Sequence, residues 1–205
     1  MTPRVFLTGE WRFLAMLNYR VDAALLEPLV PRGTMLDDWK GATYVSLVGF
    51  LFRDTRVLGI AVPRHRQFEE VNLRLYVRRE GAGDTRRGVT FIREIVPRAV
   101  IAAVARVAYN EPYLSLPMRH SIGVQADDDD APAVVGYEWR QRGTVEYRVA
   151  HPSWRTWSVD TASVHGDLSG LYGAELGRAL TRAPDSAFLA EGSRIEVHMP
   201  ARLEL

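Results

Sequence analysis

Cysteine is missing from all 205 residues, so disulfides, thiolate metal sites and a cysteine nucleophile are excluded. Lysine is nearly missing as well: among 26 lysines and arginines, Lys40 is the one lysine. Amine chemistry therefore has a single candidate, and the arginine bias itself reads as the mark of a GC-rich genome. There is no excess of one charge. The 25 acidic residues leave a net charge of +1, which argues against a nucleic-acid footprint and a polybasic membrane patch. No stretch approaches the ~20 apolar residues of a membrane-spanning helix. The opening MTPRVFLTGEWRF lacks the apolar core of a secretory signal. These absences predict a soluble cytoplasmic protein with no nucleic-acid or membrane partner. A chain this long suits one domain, 1–205, with a sizeable core.

Common site signatures are missing too. His65, His120, His151, His165 and His198 never fall at metal-ligand spacing, so no metal is expected. The acidic run at 127–130 reads as a solvated turn rather than a calcium loop. No nucleophile elbow, phosphate loop or dinucleotide fingerprint occurs, and no cofactor is expected. The five tryptophans read as core or lid residues rather than a base-stacking platform.

What is present is mostly strand. Residues 12–21 are apolar enough for a buried strand, after which Asp22 caps a short helix, AALLEPLV, closed by Pro31 and Gly33. Residues 43–52 form a second strand, and 54–63 a connection. The segment 98–109 is apolar nearly all round and predicts a buried helix, followed by a Pro-bounded link over 110–117. Further strands are expected at 119–124, 134–140, 144–150 and 193–199, with a helix from Asp167 or Ser169 through Leu180. The fold class is α+β, mainly antiparallel β, as a curled sheet or barrel with two or three packing helices.

The most informative stretch is RHRQFEEVNLRLYVRREGAGDTRRGVTFIREIVPR, residues 64–98, a hairpin turning at Gly81–Asp84. In its first strand Val71, Leu73, Leu75 and Val77 share one face, and Glu70, Asn72, Arg74 and Tyr76 the other. Pairing without a bulge is expected to set Asn72 opposite Glu94 with Arg74 diagonal to it, so that carboxylates and guanidinium groups share a face. The polar cluster is Glu69, Glu70, Asn72, Arg74, Arg93 and Glu94. One reading is an Arg–Glu ladder that merely sets register. The other is a cavity with an arginine for a ligand carboxylate and a carboxylate, Glu70 or Glu94, for proton transfer.

Several segments, among them FLTGEWRFLAMLNYRVDAALLEPLVPRGTMLD, FEEVNLRLYVRR, GVTFIREIVPR, YNEPYLSLPMRH and EYRVAHPSW, resemble the uncharacterised bacterial YqjF-like family (domain of unknown function 2071). That family is distantly similar to acetoacetate decarboxylase, which implies a closed, cone-shaped antiparallel barrel around a cavity. The resemblance implies that Arg12 matches the arginine near the substrate carboxylate, that Glu70 matches the active-site glutamate, and that Arg93 and Glu94 match the pair ahead of the catalytic lysine. The lysine is absent: Val100 and Ile101 stand near its positions. A family segment is also absent between the YEWR and EYRVAHPSW strands. The expected function is a small-molecule binding protein, or an enzyme without Schiff-base chemistry, that holds an anionic or carbonyl ligand through Arg12, Glu70, Asn72, Arg74, Arg93 and Glu94. A non-catalytic scaffold is the alternative, and a homo-oligomer stays open.

One outcome follows directly from the missing lysine. Borohydride treatment in the presence of a β-keto acid will leave no covalent adduct detectable by mass spectrometry. An adduct at Lys40 or elsewhere overturns the exclusion of imine chemistry.

Overall fold

Alternating β-branched and aromatic residues make the long strands; Phe68–Glu80 and Thr85–Val96 pair across a short turn, whereas Val5–Arg20 pairs with a strand from the far end of the chain. The computed structural model describes residues 4–61, 63–81, 83–99, 101–103, 112–121, 135–140, 143–159 and 161–202. Its long strands are β1 (Val5–Arg20), β3 (Tyr44–Val57), β5 (Phe68–Glu80), β6 (Thr85–Val96) and β11 (Ser186–His198). Shorter ones are β2 (Met35–Leu36), β4 (Ile60–Ala61), β7 (Tyr113–Ser115), β8 (Val135–Arg140), β9 (Gly143–Ala150), β10 (Thr156–Ser158) and β12 (Ala201–Arg202). They form one sheet in the order β10-β11-β1-β3-β5-β6-β8-β9-β12. Pairing is antiparallel except where β6 meets β7 and β8. β9 also pairs with β11 over two residues, which brings distant strands of the curled sheet together. Bulges in β1 and β6 supply the bend.

Helices are few and short. Asp22 accepts a hydrogen bond from the Ala24 amide at 3.0 Å and starts α1 (Ala23–Leu26), which Pro28 turns into a 3₁₀ segment at Glu27–Leu29. Asp167 likewise caps α2 (Leu168–Tyr172) by accepting from the Gly170 amide. Gly173, at φ 84°, breaks the helix expected through Leu180 and leaves α3 (Ala174–Leu180) as a separate element.

Apolar side chains cover both faces of the sheet. On one face Tyr19, Leu26, Val45, Leu47, Leu73, Leu75 and Val77 pack with Leu168, Tyr172, Leu176 and Leu180 of α2 and α3. On the other, Leu14, Met16, Phe50, Phe52, Phe68, Val96, Trp154 and Ile195 form a second cluster, against which Trp11 and Phe91 pack. The first half of β5 is therefore covered on both sides, and its polar residues Glu70 and Asn72 are buried with whatever partners the fold supplies.

Several expectations change. β1 begins seven residues before 12, and β11 begins seven before 193, because the two strands pair with each other along nearly their whole lengths. β3 continues to Val57, so most of the connection over 54–63 is strand and a tight turn at Leu58–Gly59. The link over 110–117 contains β7, held by parallel pairing to β6. Residues 119–121 form no strand, and 122–124 lie outside the described residues, as does the turn at 127–130. Of the helix over 98–109, positions 99 and 101–103 are helical and 104–109 lie outside the described residues. Trp39 is neither core nor lid: it is 62% exposed on a turn. No helix among the described residues is long and apolar enough to cross a membrane.

Gly192 shows how tightly β1 and β11 are joined. It sits at φ 78° opposite Arg12, and a Cβ there would run into the Trp11 carbonyl. Gly192→Ala should lower stability by about 2 kcal/mol or more, from the strained φ and the backbone clash together. Chemical denaturation measures it, and a variant within a few tenths of wild type refutes the account.

Candidate functional site

The even-numbered residues of β5 face the second cluster, and three of the groups there are polar and almost wholly buried. Glu70 is 3% exposed, Asn72 2%, and Glu94 of β6 2%. Asn72 donates through Nδ2 to Glu70 Oε1 at 3.1 Å, and the Tyr113 hydroxyl donates to Glu70 Oε2 at 3.0 Å. Across the ladder Glu70 faces Phe50, with Phe68 next along the same face of β5. Burial among these groups pushes the Glu70 carboxyl up to about 7, while the two hydrogen bonds, which favour the ionised form, hold it back. A carboxyl in that range exchanges its proton near neutral pH.

The register differs instructively from the simple hairpin. Next to the turn, Glu80 pairs with Thr85, a register that without a bulge would set Asn72 opposite Arg93. One extra residue in β6, Ile92, shifts the ladder between Leu73 and Arg74, so Asn72 pairs with Glu94 after all. The predicted neighbour is correct; the reason is a bulge, not its absence. The bulge also carries Arg93 to the opposite face. It pairs with Leu73 there, beside the apolar cluster of α2 and α3, and its charge acts on the buried Tyr172 hydroxyl, which burial raises to about 12. Arg93 thus does not share a face with Glu70 and Glu94.

Arg12 does not join them either. Its neighbour Trp11 packs into the cluster, and Arg12 turns to the other side, where it contacts Glu10 at 3.0 Å and Glu191 at 4.0 Å. Glu69, also facing away, meets His120 at 2.8 Å. Arg74 does share the face of Glu70 and Asn72, beside the ring of Tyr76 and within 3.7 Å of Met16 Sδ. Beyond it the face ends in a polar row: Ser46 Oγ donates to Asn18 Oδ1 at 2.5 Å and lies 2.6 Å from the Tyr76 hydroxyl, and Asn18 bonds Ser186. Lys40 lies at the far end of β5, in a surface groove of about 510 Å³ with Asp37, Arg78 and Arg87. Ile101, near the expected lysine positions, packs against the apolar cluster, and Val100 lies outside the described residues. Among the described residues no group of three or more His, Cys, Asp or Glu side chains could hold a metal ion.

Tyr113 is the member of this polar group that sequence reasoning overlooked. It contacts Glu70 across 43 residues, from a segment read as a link, so no spacing or periodicity could signal it.

Comparison with known proteins agrees with this architecture. Residues 8–133 match the model of DUF2071, described as an uncharacterized conserved protein. The uncharacterized protein YqjF of Bacillus subtilis (strain 168) is 28% identical over 110 residues, which is 53% of this chain and 44% of that protein. The match therefore spans less than half of that relative. Among solved structures, acetoacetate decarboxylase from Legionella pneumophila superposes with a TM-score of 0.70 at 11% identity, over 98% of this chain and 88% of that one. The enduracididine biosynthesis enzyme MppR complexed with pyruvate gives 0.64 at 17% identity, over 100% and 92%. At such identities the likeness establishes the fold: a curled, mainly antiparallel sheet with few helices, similar to that of acetoacetate decarboxylase.

The Tyr113–Glu70 bond gives a measurable expectation. Tyr113→Phe removes a donor to the ionised carboxylate, so the Glu70 pKa should rise further, by about one pH unit. Carboxyl-carbon NMR titration of labelled glutamate reads this directly; an unchanged or lower value contradicts the geometry.

Proposed function

The chain belongs to the DUF2071 family, and from that premise we propose that it binds a small anionic or carbonyl compound against the polar face of β5, as a binding protein or as an enzyme without covalent catalysis. The observation that carries this reading is Glu70: a carboxyl buried among aromatic side chains, held by Asn72 and Tyr113, with a pKa raised to about 7. Burying such a group costs stability, and a site that moves protons is the circumstance in which that cost has a use. In this reading the curled sheet closes as a cone-shaped barrel around that face and excludes water. Glu70 then takes a proton from the ligand or returns one, and Glu94 sets the charge beside it. The similar structures named for acetoacetate decarboxylation and for bound pyruvate support a small carboxylate or carbonyl compound as the class of ligand. The missing lysine separates this chain from imine chemistry.

The scaffold reading has less to stand on. Charged pairs that only set register are cheapest at the surface. Such a pair does exist, Arg78 with Glu80, whose carboxylate also accepts from the Thr85 hydroxyl, but at the exposed end of the hairpin. The buried carboxylates lie at the other end.

Two measurements test the proposal. Glu70 binds its proton more tightly in the folded protein than in the unfolded chain. Its contribution to stability is therefore complete below pH ~4.5, lost as pH rises to about 7, and constant above. Across that window wild type should lose roughly 3 kcal/mol relative to Glu70→Gln, which cannot ionise. Parallel pH dependences in the two proteins would show that Glu70 does not titrate there. In a thermal-shift panel of small carboxylates and carbonyl compounds, a true ligand at about 100 times its Kd should stabilise wild type by roughly 2.7 kcal/mol. A panel that leaves wild type unmoved counts against a ligand site.

A further inference from the structure

Two half-buried arginines of the central hairpin, Arg74 and Arg93, have a buried Nε without a hydrogen-bond partner, and of the two only Arg74 shares the face of Glu70 and Asn72. Arg12, Arg66, Arg78, Arg87 and Arg182 each lie beside a carboxylate. Arg74 does not: its contacts are a thioether at 3.7 Å and the edge of attraction of the Tyr76 ring at 6.0 Å. Its Nε is buried with no hydrogen-bond partner. Arg74 is half-buried, and a guanidinium partly withdrawn from water without an anion is unfavourable; this one stands on a central strand where an apolar residue would fit the neighbouring Met16 and Phe91. Two positions away on the same face, Asn72 shows the complementary deficiency. Its Nδ2 is committed to Glu70, and its Oδ1 is buried and accepts from nothing.

Resting on the ligand site proposed above, we infer that Arg74 is the anion anchor of that site, and that the ligand is a small hydroxy- or amino-carboxylate. The carboxylate pairs with the Arg74 guanidinium. A hydroxyl or amine on the ligand then donates to Asn72 Oδ1, and the remainder of the molecule extends toward Glu70. Alternate residues on one strand face are about 6.6 Å apart, a step that a small molecule can bridge. A keto oxygen cannot satisfy Asn72 Oδ1, because both groups only accept. The site therefore prefers the hydroxy form of an acid over its keto form. Arg93 and Arg12, on the opposite side of the sheet, take no part.

The test uses the full chain with 3-hydroxybutyrate, acetoacetate and the neutral 3-hydroxybutyramide, read by calorimetry and thermal shift on wild type, Arg74→Met and Arg93→Met. Wild type should bind 3-hydroxybutyrate at least tenfold more tightly than acetoacetate, and the amide more weakly still. Arg74→Met should lose the carboxylate response and Arg93→Met should keep it. Without ligand, Arg74→Met should melt higher than wild type, because it removes an unpaired cation from a largely covered face. Equal binding of the hydroxy and keto acids, or a full response in Arg74→Met, overturns the inference while leaving a ligand site in place. If no compound moves wild type, the ligand-free melt decides: a lower-melting Arg74→Met makes Arg74 structural and overturns the inference, whereas a higher-melting one supports a binding role for it. A silent panel weakens the proposed function independently of that result.

Discussion

One extra residue in β6 sets the arrangement of charge in this protein. A strand alternates its side chains strictly, so without Ile92 the register of the hairpin turn would put Arg93 beside Asn72 and turn Glu94 to the opposite face. With it, Glu94 joins Glu70 and Asn72, while Arg93 goes under α2 and α3. The bulge thus collects two carboxyl groups on one covered face and keeps the adjacent guanidinium away. Glu70 has no arginine among its hydrogen-bonding partners, and burial is the largest influence on its proton affinity.

That separation has an energetic logic. An arginine against Glu70 would hold the carboxyl ionised well below neutral pH and make it a static half of an ion pair. Two neutral donors, Asn72 and Tyr113, orient it and only partly offset the cost of burial. The result is a group poised between its two states. The aromatic side chains of Trp11, Phe50, Phe52 and Phe68, which contact one another in a continuous group, provide the rigid low-polarity surroundings on which this depends.

The likeness to the acetoacetate decarboxylase fold now has more definite content. The scaffold is shared, but the arginines matched by position, Arg12 and Arg93, do not face the buried carboxyls here, and no lysine stands after Arg93-Glu94. Family position and strand face are separate facts. Bulges in β1 and β6 can turn a residue over without changing its place in the sequence order.

Much of the fold was legible in the sequence, because alternation, turn residues and caps act locally. Asp22 and Asp167 cap the helices expected of them, and the hairpin turns at Gly81–Asp84. By itself the sequence determined that the protein is β-rich, that Glu70, Asn72 and Arg74 share one face of a strand, that cysteine chemistry is closed to it, and that no lysine follows Arg93-Glu94. It did not disclose the full lengths of β1 and β11, whose ends are held by pairing with each other across the chain. Nor did it disclose the bulge at Ile92, which is a property of two strands and not of one. Tyr113 reaches Glu70, and Arg93 leaves it, only once strands distant in sequence are side by side. Which polar face was covered and which guanidinium groups have no carboxylate beside them were decided by tertiary packing, since burial and pairing depend on neighbours that local sequence does not specify.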